Sequence, residues 1–319
     1  MRMCKIRDFF VCIILMISSG QAFANFAYVV NDTDIYVIDT NSLMVVGWPI
    51  GIGDDLNGIA ISPDGDFGYV ANGPGSSVYI IDISTNEVIS SFFVGNYPLK
   101  IAITPDGNFL YETNHESNTV SVVDLRTNTK RTMVGVGNFP YGIAIAPDGD
   151  FVYVVNSGSN SVSVINVSNN IFVTKIDVGN FPLGIAVAPG GNFVYVTNCN
   201  SNTVSVIDAL TNTVVSMIAV GRRPMEIAVT PDGNFAYVAN TGSNTVSVIN
   251  TTNNSVITTI AVGHYPQGIA ITPDGDLAFV SNSGSNTVSV IDTSSNTIIT
   301  TIDVGQSPGG IAITPNSCP

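Results

Sequence analysis

The chain of 319 residues holds two histidines, His115 and His264, each beside a group that can share its chemistry. His115 precedes Glu116, His264 precedes Tyr265, and the pair Arg222-Arg223 falls between them. Histidine and carboxylate exchange protons near neutral pH, and arginine can hold an anion formed in such a step. The set therefore suits acid–base elimination or lactone chemistry. Three further charges matter because of where they stand: Lys100, Glu112 and Glu226 occupy positions at which the rest of the chain uses glycine or valine.

Those exceptions are visible only because the chain repeats itself. Pro63, Pro105, Pro147, Pro189, Pro231, Pro273 and Pro315 are spaced 42 residues apart. Each begins or approximates a Pro-Asp-Gly turn between two short apolar runs, with two more runs following. In residues 184–221, strands are expected at Gly184–Ala188, Phe193–Thr197, Thr203–Ile207 and Thr213–Val220, rich in aromatic and β-branched residues. A fixed period near 40 with four strands per repeat is the mark of a β-propeller.

Before the first full repeat there are three strands, Phe26–Asn31, Ile35–Asp39 and Leu43–Pro49; after six repeats one remains, Gly310–Thr314. The expected fold is all-β, a seven-bladed propeller of four antiparallel strands per blade, with the C-terminal strand completing the first blade. Closure of this kind leaves no open inner edge.

In such a ring the loops between blades share a face with the turns between second and third strands. The Pro-Asp-Gly turns lie opposite. The inter-blade loops vary: Asp54-Asp55-Leu56, Asn96-Tyr97-Pro98, Asn138-Phe139-Pro140, Asn180-Phe181-Pro182, Arg222-Arg223-Pro224, His264-Tyr265-Pro266 and Gln306-Ser307-Pro308. A site is expected on this face, around the channel mouth. Tyr97, Phe139, Tyr141, Phe181 and Tyr265 are its expected aromatic anchors. Lys100 and Glu226 open inner strands three blades apart, nearly across the mouth from each other. A three-residue Pro-Asp-Gly loop pairs Thr104 with Asn108, and hence Lys100 with Glu112, predicting a cross-strand ion pair.

Other chemistries find little support. Asp64/Asp66, Asp148/Asp150 and Asp274/Asp276 hint at calcium, but turn chemistry accounts for the first of each pair. No zinc spacing, phosphate-cradling glycine loop or serine-nucleophile motif is present, and no cofactor or metal is expected. Cys199 and Cys318 fall towards opposite faces, about 15 Å apart along a five-residue strand, so free thiols are expected.

Tyr195-Val196-Thr197-Asn198, with degenerate copies at Tyr69, Tyr111, Tyr153, Tyr237 and Phe279, resembles the signature of the YVTN family of β-propeller repeats. With the flanking PDG and SNTVSVID elements the resemblance spans residues 26–315. It implies an exported or cell-surface propeller whose relatives act as binding or surface-layer proteins more often than as enzymes, and it supplies no catalytic motif.

The first 24 residues read as an export signal: Arg2, Lys5 and Arg7, an apolar run from Phe9 to Ile17, then Ala22-Phe23-Ala24 as a cleavage site. Residues 25–319 form the propeller, periplasmic or secreted to the cell surface, with no membrane anchor after cleavage. Losing Arg2, Lys5, Arg7 and Asp8 takes the net charge from −14 to −16, which opposes binding to nucleic acid. The leading expectation is a non-enzymatic binding module for a protein, peptide or glycan. The alternatives are a lyase or lactonase using His115, Glu116, Arg222 or His264, and an envelope array component.

Overall fold

The computed structural model describes residues 25–53 and 55–316. The expected export signal, Asp54 and Cys318 lie outside the described residues. Among the described residues every regular element is a strand, and the strands form seven antiparallel sheets. Blade 3 shows the pattern: Pro98–Ile103 innermost, then Phe109–Asn114, Thr119–Asp124 and, outermost, Thr129–Gly135.

Each sheet alternates side chains to its two faces, and both faces are apolar. The core is therefore a set of seams. Tyr111, Val120 and Val122 of blade 3 pack on Val152, Val154 and Ile165 of blade 4. Tyr153, Val155 and Val162 of blade 4 pack on Ile185, Val194 and Val196 of blade 5. The seventh seam joins the ends of the ring, where Phe279, Val288, Val290 and Ile302 of blade 7 meet Ala27, Val29 and Ile38 of blade 1. Tyrosine hydroxyls bolt some seams to the next blade: Tyr28 donates to Asn86 Oδ1 at 2.6 Å and Tyr111 to Asn170 Oδ1 at 2.6 Å.

Blade 1 is assembled from both ends of the chain. Ile311–Ile313 supplies its inner strand, pairing with Val29, Tyr28 and Ala27. Further bonds extend the join: Val30 N–H to Gly310 O at 2.9 Å, Gly309 N–H to Val30 O at 2.8 Å, and Thr314 N–H to Phe26 O at 2.9 Å. The outer strand of this blade is broken into Met44–Val45 and Ile50–Gly51. Between them Gly47 takes φ 71° and Pro49 offers no N–H to continue the ladder.

Two expectations need correction. In blades 3 to 7 the inner strands begin at the proline, two residues before the expected start. The Pro-Asp-Gly hairpin also carries a four-residue loop: Thr104 N–H bonds Phe109 O, so Ile101 faces Glu112 and Ala102 faces Tyr111. A one-residue shift of register exchanges the faces of a strand. Lys100 and Glu112 consequently point to opposite sides and do not pair. The turn carboxylates are engaged locally, Asp148 Oδ1 accepting the Asp150 N–H at 3.0 Å and Asp274 Oδ1 the Asp276 N–H at 3.1 Å.

Because the join of blade 1 seals the ring, removing residues 309–319 exposes an inner edge and uncovers part of two seams. The truncated chain is expected to unfold at a markedly lower temperature, measured by circular dichroism. An unchanged unfolding temperature would show that closure contributes nothing.

Candidate functional site

The channel mouth on the variable face is built by a repeated irregularity. In blade 3, Ile101 faces Glu112 but Pro98 faces Asn114, which leaves Leu99 and Lys100 opposite Thr113 alone. The same bulge recurs between Leu56 and Ile59, Pro140 and Ile143, Pro182 and Ile185, Pro224 and Ile227, and Pro266 and Ile269. A bulge re-aims the side chains it displaces. Here the displaced positions face the mouth: Asn57, Leu99, Tyr141, Leu183, Met225 and Gln267 all line it. Among these, only Tyr141 was expected as a site residue. Its fellows carried the same signal, a residue type that changes at every 42-residue step just before the recurrent glycine.

That glycine has a steric cause. A Cβ on Gly58 would collide with the Leu99 carbonyl oxygen of the next blade, and one on Gly184 with the Met225 carbonyl oxygen. Lys100 and Glu226 stand where this ring departs from glycine. Their side chains meet, Lys100 Nζ lying 2.6 Å from Glu226 Oε1, with 22 % and 17 % of the side chains exposed. Lys100 Nζ also lies 5.8 Å from the centre of the Tyr141 ring. Burial alone lowers the Lys100 pKa, but the Glu226 carboxylate and Tyr141 outweigh it and hold the ammonium above its ordinary range. The Tyr141 phenol is pushed up by burial, against the pull of Lys100. The partner of Lys100 is thus Glu226, from three blades away, and not the Glu112 of its own blade.

Glu112 is a separate matter. It is fully buried in the seam between blades 2 and 3, where the other blades place valine, and neither carboxylate oxygen has a hydrogen-bond partner. Burial raises its pKa well above the ordinary carboxyl range, and the nearby Leu99 N–H, outside hydrogen-bonding geometry, and the Lys130 charge oppose it without cancelling it.

Above the mouth runs a rim of residues in the left-handed region: Asp55, Tyr97, Phe139, Phe181, Arg223, Tyr265 and Ser307, with φ between 51° and 58°. Bulky residues rarely adopt this conformation, and its cost of about 1–3 kcal/mol persists only where surroundings enforce it. The repeat provides the enforcement. The N–H of Phe139, Phe181, Arg223 and Tyr265 each bonds an asparagine side chain, Asn118, Asn160, Asn202 and Asn244, at 2.8–3.0 Å. Their carbonyls accept from Ser157, Cys199, Thr241 and Ser283. The rim is fixed before any ligand arrives.

Two adjoining cavities occupy the mouth. One of about 260 Å³ is bordered by Asp32, Asp55, Lys100, Tyr141, Glu226 and Gln267, and one of about 500 Å³ by Tyr97, His115, Phe181, Leu183, Cys199 and Arg223. Asn57, Leu99, Tyr141, Met225 and Gln267 border both, so the two adjoin across shared walls and are together termed the basin. His115 Nδ1 lies 3.1 Å from the Pro140 carbonyl, which can only accept, so Nδ1 donates and Nε2 is left outside this bond. Its ring stacks on Phe139 at 5.2 Å. Tyr97 donates to Asp55 Oδ2 at 2.7 Å. The remaining expected residues stay on the rim. Glu116, Arg222, His264 and Tyr265 are exposed and border neither cavity; Arg222 bonds the Gly242 carbonyl, and His264 contacts Asn244. His115 and His264 therefore do not share a site. Cys199 is a buried free thiol at the basin wall. Among the described residues no group of three or more His, Cys, Asp or Glu side chains is arranged to hold a metal ion.

Across residues 26–133, 126–215 and 209–302 the sequence matches the family described as lactonase, 7-bladed beta-propeller. The chain belongs to this family. Among solved structures, hydrazine synthase of Kuenenia stuttgartiensis is 26 % identical with a TM-score of 0.73, covering 81 % of this chain and 90 % of that one. A functionally unknown protein from Desulfotomaculum acetoxidans superposes with a TM-score of 0.82 at 20 % identity, covering 92 % and 99 %. A candidate 6-phosphogluconolactonase from Bacteroides fragilis gives 0.77 at 16 % identity, covering 92 % and 99 %. The last two likenesses carry the fold alone. No curated protein matches the sequence. Membership of the lactonase propellers overturns the expectation of a non-enzymatic binding module. A variable rim fits a substrate pocket as well as a docking face, and the loops alone do not distinguish them.

Glu112 yields a prediction with a defined sign. Its folded pKa is raised, so the native state keeps a proton that the unfolded chain releases above about pH 4.3. Stability falls as pH rises through that window towards the folded pKa. Glu112→Val is expected to stabilise the fold by about 1–3 kcal/mol at pH 8 and by less at pH 5. Urea unfolding at the two pH values measures this, and an equal gain at both would refute a proton on Glu112.

Proposed function

We propose that the chain is an enzyme hydrolysing a lactone in the channel-mouth basin, with Glu226 and Lys100 as the working pair. The observation that carries this is the contact of these two side chains across the channel, at the two positions where the glycine ring is broken. Family membership supports the reaction class. In a partly enclosed basin, charges act with more force than in open water. Glu226 accepts a proton from a water molecule as its oxygen attacks the lactone carbonyl. Lys100 neutralises the oxyanion that forms. The ring C–O bond then breaks, and the leaving oxygen takes up the proton. Lactone and water give one hydroxy acid, with nothing else consumed. Tyr141, beside Lys100, and His115, with Nε2 free, position the substrate and water.

The basic start, apolar run and Ala22-Phe23-Ala24 support export of this enzyme to the periplasm or cell surface, and the repeat wording supports a YVTN-type propeller. A mature charge of −16 argues against a nucleic-acid partner.

The test uses glycine substitutions, since five blades carry glycine at these positions. Glu226→Gly and Lys100→Gly are each expected to lower kcat for the best lactone by about 100-fold or more while the unfolding temperature changes little. Hydrolysis is followed by acid release in a pH-stat across a panel of γ- and δ-lactones. Lack of turnover for every lactone, or full activity in Glu226→Gly, rules the proposal out.

A further inference from the structure

We infer that the basin takes an uncharged lactone bearing a linear apolar chain, and not a phosphorylated sugar lactone. This rests on the catalytic reading above and extends it to substrate class.

The mouth is divided into two arcs. Blades 3 to 6 contribute Leu99, Tyr141, Leu183 and Met225 at the displaced positions, with Phe181 above them. Gln267, Gly309 and Asn57 complete the ring from blades 7, 1 and 2, accompanied by Ser283, Ser307, Asp32 and Asp55. The Lys100–Glu226 pair borders the polar cavity where the arcs meet, and the apolar cavity adjoins it at Leu99, Tyr141 and Met225. A ligand with its carbonyl at the pair therefore extends its substituent over Leu99, Leu183 and Met225. The larger cavity, about 500 Å³, lies on this side. It is within the range of small-molecule sites.

Charge decides against an anionic substituent. Asp32, Asp55 and Glu226 border the polar cavity, and its cation, Lys100, contacts Glu226 and serves the reacting carbonyl, which leaves no second cation there for a charged substituent. Arg223 faces the basin from the exposed rim on the apolar side, far from an arrangement of several donors. Phosphate recognition relies on converging N–H groups or clustered cations. Among the described residues no helix exists to offer its N-terminus. A phosphoryl group in the polar cavity would face carboxylates, and one in the apolar cavity would meet the side chains of Leu99, Leu183 and Met225 with only Arg223 and His115 at its edge.

The repeat itself supplies conservative variants. Met225→Gln installs the residue of the equivalent position in blade 7, and Phe181→Ser the residue that Ser307 shows to be compatible with the left-handed backbone. For the wild type, kcat/KM on γ-alkyl-γ-butyrolactones is expected to rise about threefold to fourfold per added methylene until the arc is covered, with 6-phospho-δ-gluconolactone turned over poorly. Both variants should flatten that slope. Binding of the hydrolysis-resistant γ-octyl-γ-butyrolactam and its γ-methyl counterpart is measured in parallel by titration calorimetry. Turnover that ignores chain length, or a preference for the phosphorylated lactone, overturns the inference while leaving lactone hydrolysis standing. Tighter binding of the octyl than of the methyl lactam without any turnover does the reverse, upholding the apolar arc and sinking the catalytic reading. Equal or absent binding of the two lactams, with no turnover, overturns both.

Discussion

Every sheet in this molecule has two apolar faces, and one sheet cannot bury both. That constraint forces each blade to have a neighbour on either side, and the sequence of neighbours ends only when the last blade meets the first. The seam of Phe279, Val288 and Val290 against Ala27, Val29 and Ile38 is where this condition is met. Closure then crowds the inner strands together around the axis. Crowding is what excludes a Cβ at Gly58, Gly142, Gly184 and Gly268. The site follows from the same cause, since a lysine and a glutamate in that glycine ring have nowhere to extend but over the channel.

The repeat made much of this legible in advance. Seven evenly spaced prolines fixed the number of blades, and counting strands at the two ends predicted the composite first blade. The variable face and the residues Lys100, Tyr141 and Glu226 were also readable as departures from a consensus. The register within a blade was not. Whether a Pro-Asp-Gly hairpin closes around three residues or four depends on how the Thr104 amide meets the Phe109 carbonyl, and both loops suit the same letters. That single residue turned the expected Lys100–Glu112 pair into two unrelated features. The bulge at the start of the inner strand in blades 2 to 7 was equally missed, because the strands were expected to begin only after it. Asn57, Leu99, Leu183, Met225 and Gln267 were missed with it.

Function was the least legible layer. Exposed aromatics beside prolines suggested docking, yet the backbone shows them to be held in strained, left-handed positions by asparagine side chains of the preceding blade. Such rigidity suits a pocket that must present fixed walls to a small molecule. The histidines, which drew attention first, divide: His115 borders the basin and His264 stays outside it. The charges that meet in the basin come from blades 3 and 6, a relation that no local motif records.

The composite first blade has a consequence for how the molecule is made. Among the described strands Phe26–Val30 is made first, and its partner Ile311–Ile313 follows all the others. Until then an apolar β-edge stands unpaired while the strands of the other blades are made. Contacts of such long sequence separation form slowly, and unpaired edges recruit other chains. A nascent chain of this design is open to pairing with its own copies until Ile311–Ile313 arrives.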